Sequence, residues 1–422
     1  MRVQLAWTML AELAVMIAGV LLLKLAAEFL GPTGFGEYTL SRRAIGLMYL
    51  PLVMGLGIAA PRYIAIARAG ALPRFSGRSF ASAALSVGMA PVLIVVAALN
   101  VGSSTASVVL FGTPSLEHLV LPASIALAGI ALHGIVYAVF RGRSEMGLAN
   151  VMQLVNIGVV PVVAFLVVER EAAAVLAATG FAWISVSVVA LLTLAARERR
   201  DPAGAAGFGE HLRLLLKFGL PRIPGEFALV GLFAIPALIA VRTQGVVAAG
   251  HFSAAMSLVT MASGAFTPVG LIVLPKASAL AAMGNVDGVR QMTVRILAAG
   301  VLAAGVGVIA GEMLIPALVS WYFGPAFLPA VPVFRVCLVA AIPYIVYVLL
   351  RNVLDALDVR AVNSRNLLVA LAALLVLCTF RPTLLWMATS VVASLSLLSV
   401  LTLRETFARL KAPLQPLVAR PV

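Results

Sequence analysis

Two stretches of this chain repeat one another, membrane span for membrane span, and that repeat restricts its architecture more than any other feature. At an offset of 214 residues Glu12 answers Glu226, Gly36 answers Gly250, Tyr38 answers Phe252, Pro61 answers Pro275, Arg62 answers Lys276 and Gly70 answers Gly284. At an offset of 210 the pattern resumes, with Ile135-Val136-Tyr137 and Arg141 matching Ile345-Val346-Tyr347 and Arg351. A chain of 422 residues built from two similar halves follows the usual plan of a membrane carrier, whose substrate site lies where the halves meet.

Each repeat unit is apolar. Hydrophobic residues make up 62% of the chain, charged residues 11%, and mean hydropathy is +1.10. A water-soluble protein could not hide that much apolar surface, so the solvent of this fold is lipid. Twelve apolar stretches are expected to span: 8–30, 37–60, 79–100, 119–140, 149–168, 172–195, 218–241, 249–274, 292–316, 330–350, 366–380 and 383–403. Most reach the roughly 20 residues a helix needs to cross a ~30 Å hydrocarbon core. The first is too long, and wrongly flanked, for a cleaved signal peptide. The expected fold is all-α and integral to the membrane: twelve transmembrane helices in two pseudo-symmetric six-helix lobes around a central cavity. The lobes are expected at 1–200 and 201–422, joined by a polar linker at about 196–217 that is rich in charge, Pro and Gly. With six spans each, both halves enter the membrane in the same sense, related by a pseudo-twofold axis along its normal.

Basic residues set the orientation. Of the 30 Lys and Arg, 22 fall on one set of alternate connecting segments, whereas the opposite set holds only Arg170, Arg242 and Arg381. Both termini are therefore expected in the cytoplasm. The net charge of +14 is largely this signal. Spread over many loops without interleaved aromatics, it is not a nucleic-acid footprint. Cys337 and Cys378 lie inside expected spans and read as packed free thiols. The histidines at 118, 133, 211 and 251 are scattered, and no cluster has metal-ligand spacing. No glycine-rich phosphate loop precedes a cytoplasmic helix, so the chemistry of a soluble enzyme is missing and no cofactor is expected. Leucines alternate with His211, Arg213 and Lys217 over 208–217, the pattern of an amphipathic helix at the inner surface.

Five basic residues fall inside the spans: Lys24, Arg42, Arg43, Arg222 and Arg335. A basic side chain at the centre of an isolated span costs ~2.5–3.5 kcal/mol, so such residues usually face a bundle interior or a watery cavity. Lys24 lies about six residues, roughly 9 Å, from the outer end of its span. Arg42, Arg43 and Arg335 sit at similar depth, which places four cations in the outer half of the membrane. Such a group suits a multiply charged anion, because guanidinium binds phosphate bidentately. The alternative is snorkelling to the headgroups. Adjacent residues point ~100° apart, so Arg42 and Arg43 do not both serve as lipid-facing anchors. Glu12 and Glu226 occupy equivalent places in the cytoplasmic third of spans one and seven. They are candidates for a gate, for a site coupling to H+ or Na+, or for a structural ion pair. Arg222 is one helical turn before Glu226 and shares its face. Glu28 and Glu312 read as interfacial. Prolines inside spans (Pro51, Pro91, Pro161, Pro236, Pro268 and Pro343) permit kinks, and Gly-rich faces in spans two and nine permit close packing.

Several motifs resemble a known family. Gly31-Pro32-x-Gly-Phe-Gly36-x-Tyr38 after span one, followed by Gly55-Leu-Gly57-x-x-x-Pro-Arg62-Tyr-Ile, is similar to the start of bacterial polysaccharide transporters, the O-antigen (Wzx-type) flippases. Phe218-Gly-Leu-Pro221 and Gly324-Pro-x-Phe327 resemble them too. The wider multidrug/oligosaccharidyl-lipid/polysaccharide (MOP) exporter superfamily shares the plan. The resemblance implies a two-lobed, twelve-helix, monomeric carrier of the bacterial inner membrane. It would turn undecaprenyl-pyrophosphate-linked oligosaccharide from the cytoplasmic to the periplasmic leaflet by alternating access, for cell-surface polysaccharide. Its partners would be that lipid-linked glycan, membrane lipid, and the polysaccharide polymerase or glycosyltransferases of the same assembly line. The five intramembrane cations would then bind pyrophosphate or acidic sugars. A multidrug exporter of the same superfamily is the alternative, and a cavity with more cations than acids argues against it. A membrane glycan polymerase or ligase would call for a large outer loop, which the chain lacks.

Overall fold

The computed structural model describes residues 2–411 except 69–71, 73, 199–205, 267–268, 270–272, 274–275, 278–279, 282 and 358–361. The described residues form helices and no strands. In chain order the helices are α1 (Arg2–Val53), α2 (Leu56–Arg68), α3 (Gly77–Val101), α4 (Ser103–Phe111), α5 (Val120–Gly142), α6 (Met146–Gln153), α7 (Val160–Val167), α8 (Ala172–Glu198), α9 (Phe208–Gly219), α10 (Ile223–Gln244), α11 (Val246–Gly264), α12 (Val286–Tyr322), α13 (Val331–Val339), α14 (Ala341–Leu357), α15 (Val362–Cys378) and α16 (Leu384–Arg409). Among the described residues, ten helical paths are long and apolar enough to cross a membrane. One of them, Trp7–Arg68, holds the first two expected spans, and the shorter Val362–Cys378 supplies the eleventh. Each of the twelve expected spans is thus matched by helix among the described residues, although the ninth and twelfth run several residues beyond their expected ends. The eighth is described as regular helix only to Gly264, and Pro268 lies outside the described residues. Leu302, Val306, Ile309 and Met313 run along α12 with more than half their surface exposed, a face that only lipid can cover without cost.

The repeat is written into the backbone. Spans one and two are one helix broken at Gly31, whose φ of 62° and ψ of −175° belong to a region open only to glycine. Pro32 then starts the next helix with its φ already set. The equivalent residue 214 positions on, Gly245, separates spans seven and eight with φ 87° and ψ 177°. A second matched break follows Phe111 and Phe323, at Gly112 and Gly324, both with positive φ. Each leads into a short 3-10 turn, Pro114–Leu119 or Pro325–Ala330, that precedes the fourth span of its half.

The chain divides into two compact units, Met1–Val230 and Gly231–Val422. In the first, α5 and α8 pack backbone to backbone: a Cβ on Gly129 would lie 2.7 Å from the Gly180 carbonyl oxygen, and one on Gly180 2.6 Å from the Ala126 nitrogen. This is the close approach that small residues permit. Of the Gly-rich faces expected in spans two and nine, Gly311 packs on Leu338 while Gly305 and Gly307 face open space.

The amphipathic stretch forms α9, and it docks on protein through His211, Leu215 and Gly219, spaced four apart. His211 is buried with its ring edge-on to Phe75 and Phe80, at 4.9 and 4.6 Å. Arg74 pairs with Glu210 at 3.1 Å. Two of the motifs that carry the family resemblance, the one beginning at Gly55 and Phe218-Gly-Leu-Pro221, meet here. Arg62 lies 4.5 Å over the Phe218 ring, Tyr63 meets the same ring edge-on, and Gly55 approaches Gly219 so closely that a Cβ would fall 2.5 Å from its carbonyl oxygen. In the second unit the core gathers Phe323, Phe327 and Phe334, all buried, around the matched 3-10 turn. Cys337 and Cys378 are both buried in the second unit.

Candidate functional site: two adjoining cavities in the first unit

Within the first unit the helices leave a cavity of about 260 Å³ whose wall includes Tyr38, Arg42, Tyr49, Thr179 and Trp183. Span two supplies Tyr38, Arg42, Ile45 and Tyr49 from one helical face, spaced three or four apart. The Arg42 guanidinium lies 5.6 Å from the centre of the Tyr38 ring, a cation–π distance. Tyr38 is itself fixed edge-on against Phe165, 5.2 Å away. Arg42 is thus a cation held on an aromatic at membrane depth, beside a cavity that is otherwise largely apolar.

The other intramembrane cations are placed differently. Lys24 and Arg43 are half-buried, and neither lines this cavity. Arg335 lies in the second unit, 3.9 Å from Glu312, so the carboxylate expected at the interface neutralises it. Arg222 ends the 3-10 turn Leu220–Arg222, and its side chain lies outside the described residues. Glu12 is exposed.

A second cavity, about 410 Å³, adjoins the first and shares Tyr49, Ile130 and Ile157 with it. One wall is a stacked ladder along α5. The rings of His133 and Tyr137 are 5.8 Å apart and nearly parallel, and the Arg141 guanidinium lies 5.6 Å from the Tyr137 ring. The i, i+4, i+8 spacing makes the ladder a single helical face. Gln153 and Glu226 line the same cavity, and Tyr49 is common to both cavities. Tyr49 rests on Gly134, where a Cβ would collide with the phenol hydroxyl.

The ladder is anchored by hydrogen bonds to its histidine. His133 Nε2 meets Gln153 Oε1 at 3.1 Å, and its Nδ1 meets Asn156 Nδ2 at 3.0 Å. Since the amide Nδ2 can only donate, Nδ1 is the acceptor and Nε2–H the donor, which makes the imidazole neutral. Asn156 also donates to Ser187 Oγ at 3.2 Å, and its carbonyl accepts from the Trp183 indole. Asn156 and Ser187 are fully buried. Between Gln153 and the rest of span five, Leu154–Val159 is wound as a π-helix, a form that is rare and recurs at functional sites. Sequence reading passed over this network, treating His133 as one of four scattered histidines. The available signal was the pair Gln153 and Asn156, polar and three apart in an apolar span and answered 210 residues later by Asn363 and Asn366. His133 has no such counterpart, because Pro343 stands at the equivalent place. Among the described residues no group of histidine, cysteine or acidic side chains is arranged to hold a metal.

Comparison with known proteins follows the same lines. The family model described as "Polysaccharide biosynthesis protein" matches residues 3–280. Comparison with curated proteins gave no match. Among solved structures, the chain is similar to a multidrug resistance MATE family transporter of the MOP superfamily in its inward-facing conformation. The TM-score is 0.70 at 15% identity, over 95% of this chain and 98% of the other. It is similar as well to a MOP superfamily transporter from Pyrococcus furiosus, described by a reverse polarity of its binding pocket that suggests a different function. There the TM-score is 0.67 at 13% identity, over 97% and 96% of the two chains. A MATE transporter solved in complex with MaD3S gives 0.65 at 13% identity, over 97% and 95%. The shared fold is the two-lobed, twelve-helix fold of MOP transporters, and the chain is a multi-pass membrane protein.

Proposed function

From a chain that belongs to the polysaccharide biosynthesis protein family and carries the MOP transporter fold, we propose a flippase for undecaprenyl-pyrophosphate-linked oligosaccharide. It moves its substrate from the cytoplasmic to the periplasmic leaflet by alternating access, as a monomer in the bacterial inner membrane with both termini in the cytoplasm. The observation that carries this reading is Arg42, a permanent cation stacked on Tyr38 beside a membrane-depth cavity. A diphosphate passing through a low-dielectric region needs neutralisation, and guanidinium supplies it with matching geometry. Lys24, Arg43, Arg222 and Arg335 are proposed as further steps of the cationic path, and Glu12 and Glu226 as its gate or coupling site. A pocket of reversed polarity in a structural relative supports the idea that this scaffold accepts ligands of opposite charge.

The drug exporters of the same fold suggest the second reading, export of organic cations. It calls for an acid that dominates its cavity. Glu226 shares its cavity with Arg141, and Arg42 stands beside the other, so the lining favours the anion. The test is flipping in proteoliposomes with a fluorescent undecaprenyl-pyrophosphate oligosaccharide, comparing wild type with Arg42→Ala and Arg43→Ala. Loss of flipping in Arg42→Ala is expected. Full activity in both variants would remove the anion site from this cavity.

A further inference from the structure

We infer that the cavity lined by the His133–Tyr137–Arg141 ladder, Gln153 and Glu226 is the subsite for the first sugar of the lipid-linked glycan. This assignment rests on the flippase reading. It goes further in separating where the diphosphate and the sugar are held.

The two cavities differ in chemistry. The one beside Arg42 is largely apolar with a single permanent cation on its wall, which suits a diphosphate. The larger one is lined by two stacked rings, a guanidinium, an amide and a carboxylate. Cation and acid offset each other there, so the cavity does not select for charge. It offers a flat stacking face and donors and acceptors of both kinds, as a pyranose ring with its C–H faces and equatorial hydroxyls requires. Its volume of about 410 Å³ lies in the range of small-ligand pockets, roughly 300–1,000 Å³. In the substrate the first sugar is bonded directly to the diphosphate, so the two subsites must adjoin. They do, with Tyr49 on the partition between them.

The repeat isolates what is special here. The second half keeps the ladder's lower rungs as Tyr347 and Arg351, but has Pro343 where His133 stands. Asn363, equivalent to Gln153, is turned to the Arg351 carbonyl at 3.0 Å and to Asp355 at 2.6 Å. Scaffold symmetry is therefore retained and the polar lining is not. In the first half an imidazole is hydrogen-bonded to the Gln153 amide beside a π-helical turn. The second half has Pro343 at the imidazole's place and runs Val362–Cys378 as regular α-helix.

The experiment compares two probes in proteoliposomes: bare undecaprenyl pyrophosphate, and undecaprenyl pyrophosphate bearing one N-acetylglucosamine. The wild type is expected to move the glycosylated lipid about tenfold faster, the discrimination that one well-placed polar contact supplies. Gln153→Leu, Tyr137→Leu and the milder Tyr137→Phe are expected to bring that ratio toward one, while bare lipid moves at close to the wild-type rate. A ratio unchanged in all three variants overturns the sugar subsite and leaves the flippase reading standing. A loss that falls equally on both lipids overturns it too, as the mark of a purely structural role. Wild-type protein that moves neither lipid overturns the flippase reading and the subsite with it.

Discussion

Substituting Gly55 by alanine tests the junction where the Gly55 and Phe218 family motifs meet. Gly55 has φ of +69°, and a Cβ there would lie 2.5 Å from the Gly219 carbonyl oxygen and 2.7 and 2.8 Å from its Cα and carbonyl carbon. Those are backbone atoms, so no side chain can swing aside. The left-handed conformation costs an L-residue about 1–2 kcal/mol, and forced overpacking typically adds about 1–3 kcal/mol. Together these predict a loss of about 2–5 kcal/mol for Gly55→Ala. Gly57 is the internal control: it lies two residues on, inside α2, has ordinary φ and has nothing within 4 Å of its would-be Cβ. Gly57→Ala should therefore be neutral or stabilise by up to about 1 kcal/mol, through the conformational freedom that alanine removes from the unfolded chain. Thermal unfolding in detergent, followed by intrinsic fluorescence, would read the difference. At roughly 2–4 °C per kcal/mol, Gly55→Ala should melt at least about 4 °C below wild type, and Gly57→Ala at or above it. Equal melting temperatures for the two variants would refute the close approach of α9 to the end of span two.

Three further outcomes follow from the same structure. Gly31→Ala and Gly245→Ala should each destabilise by about 1–3 kcal/mol through backbone strain alone, since both have positive φ and open space around them; similar losses in denaturant titrations would support the repeat, and tolerance at either position would break it. Asn156→Ala should cost about 1–3 kcal/mol, because His133 Nδ1 loses its donor and Ser187 its partner in a buried setting; melting curves like those of wild type would show that the network does not exist. A double-mutant cycle on Arg335 and Glu312 should give a coupling below about 1 kcal/mol, since the 3.9 Å pair leaves the arginine more than half exposed, and a larger coupling would mean that the pair is drawn in and desolvated.

Much of this fold was legible from the chain itself, because lipid imposes a simple rule on sequence. Every backbone polar group must be satisfied within its own helix, so spans announce themselves by length and hydropathy. The internal repeat was legible as well, and Gly31 and Gly245 stand at matching breaks in the backbone. Tertiary packing was hidden. The amphipathic stretch 208–217 looked like an interfacial helix, since its apolar face reads the same whether lipid or protein covers it. Only the fold shows that His211, Leu215 and Gly219 are taken up by α2 and α3. The histidine network was hidden for a related reason. His133, Asn156 and Ser187 stand 23 and 31 residues apart on three spans, and no local period links them. Depth alone gave the intramembrane cations an apparent kinship, yet Arg42 faces a cavity while Arg335 is neutralised by Glu312. That difference depends on the azimuth of each helix, which hydropathy does not record.

The central claim is that this chain carries an anionic lipid-linked glycan and not a cationic drug. One measurement addresses it directly: purified protein in liposomes preloaded with fluorescent undecaprenyl-pyrophosphate oligosaccharide in one leaflet, with ethidium flux recorded in a parallel sample. The account predicts that the labelled lipid crosses at a rate well above that of protein-free vesicles while ethidium flux stays at background. Ethidium transport with a stationary lipid would contradict it.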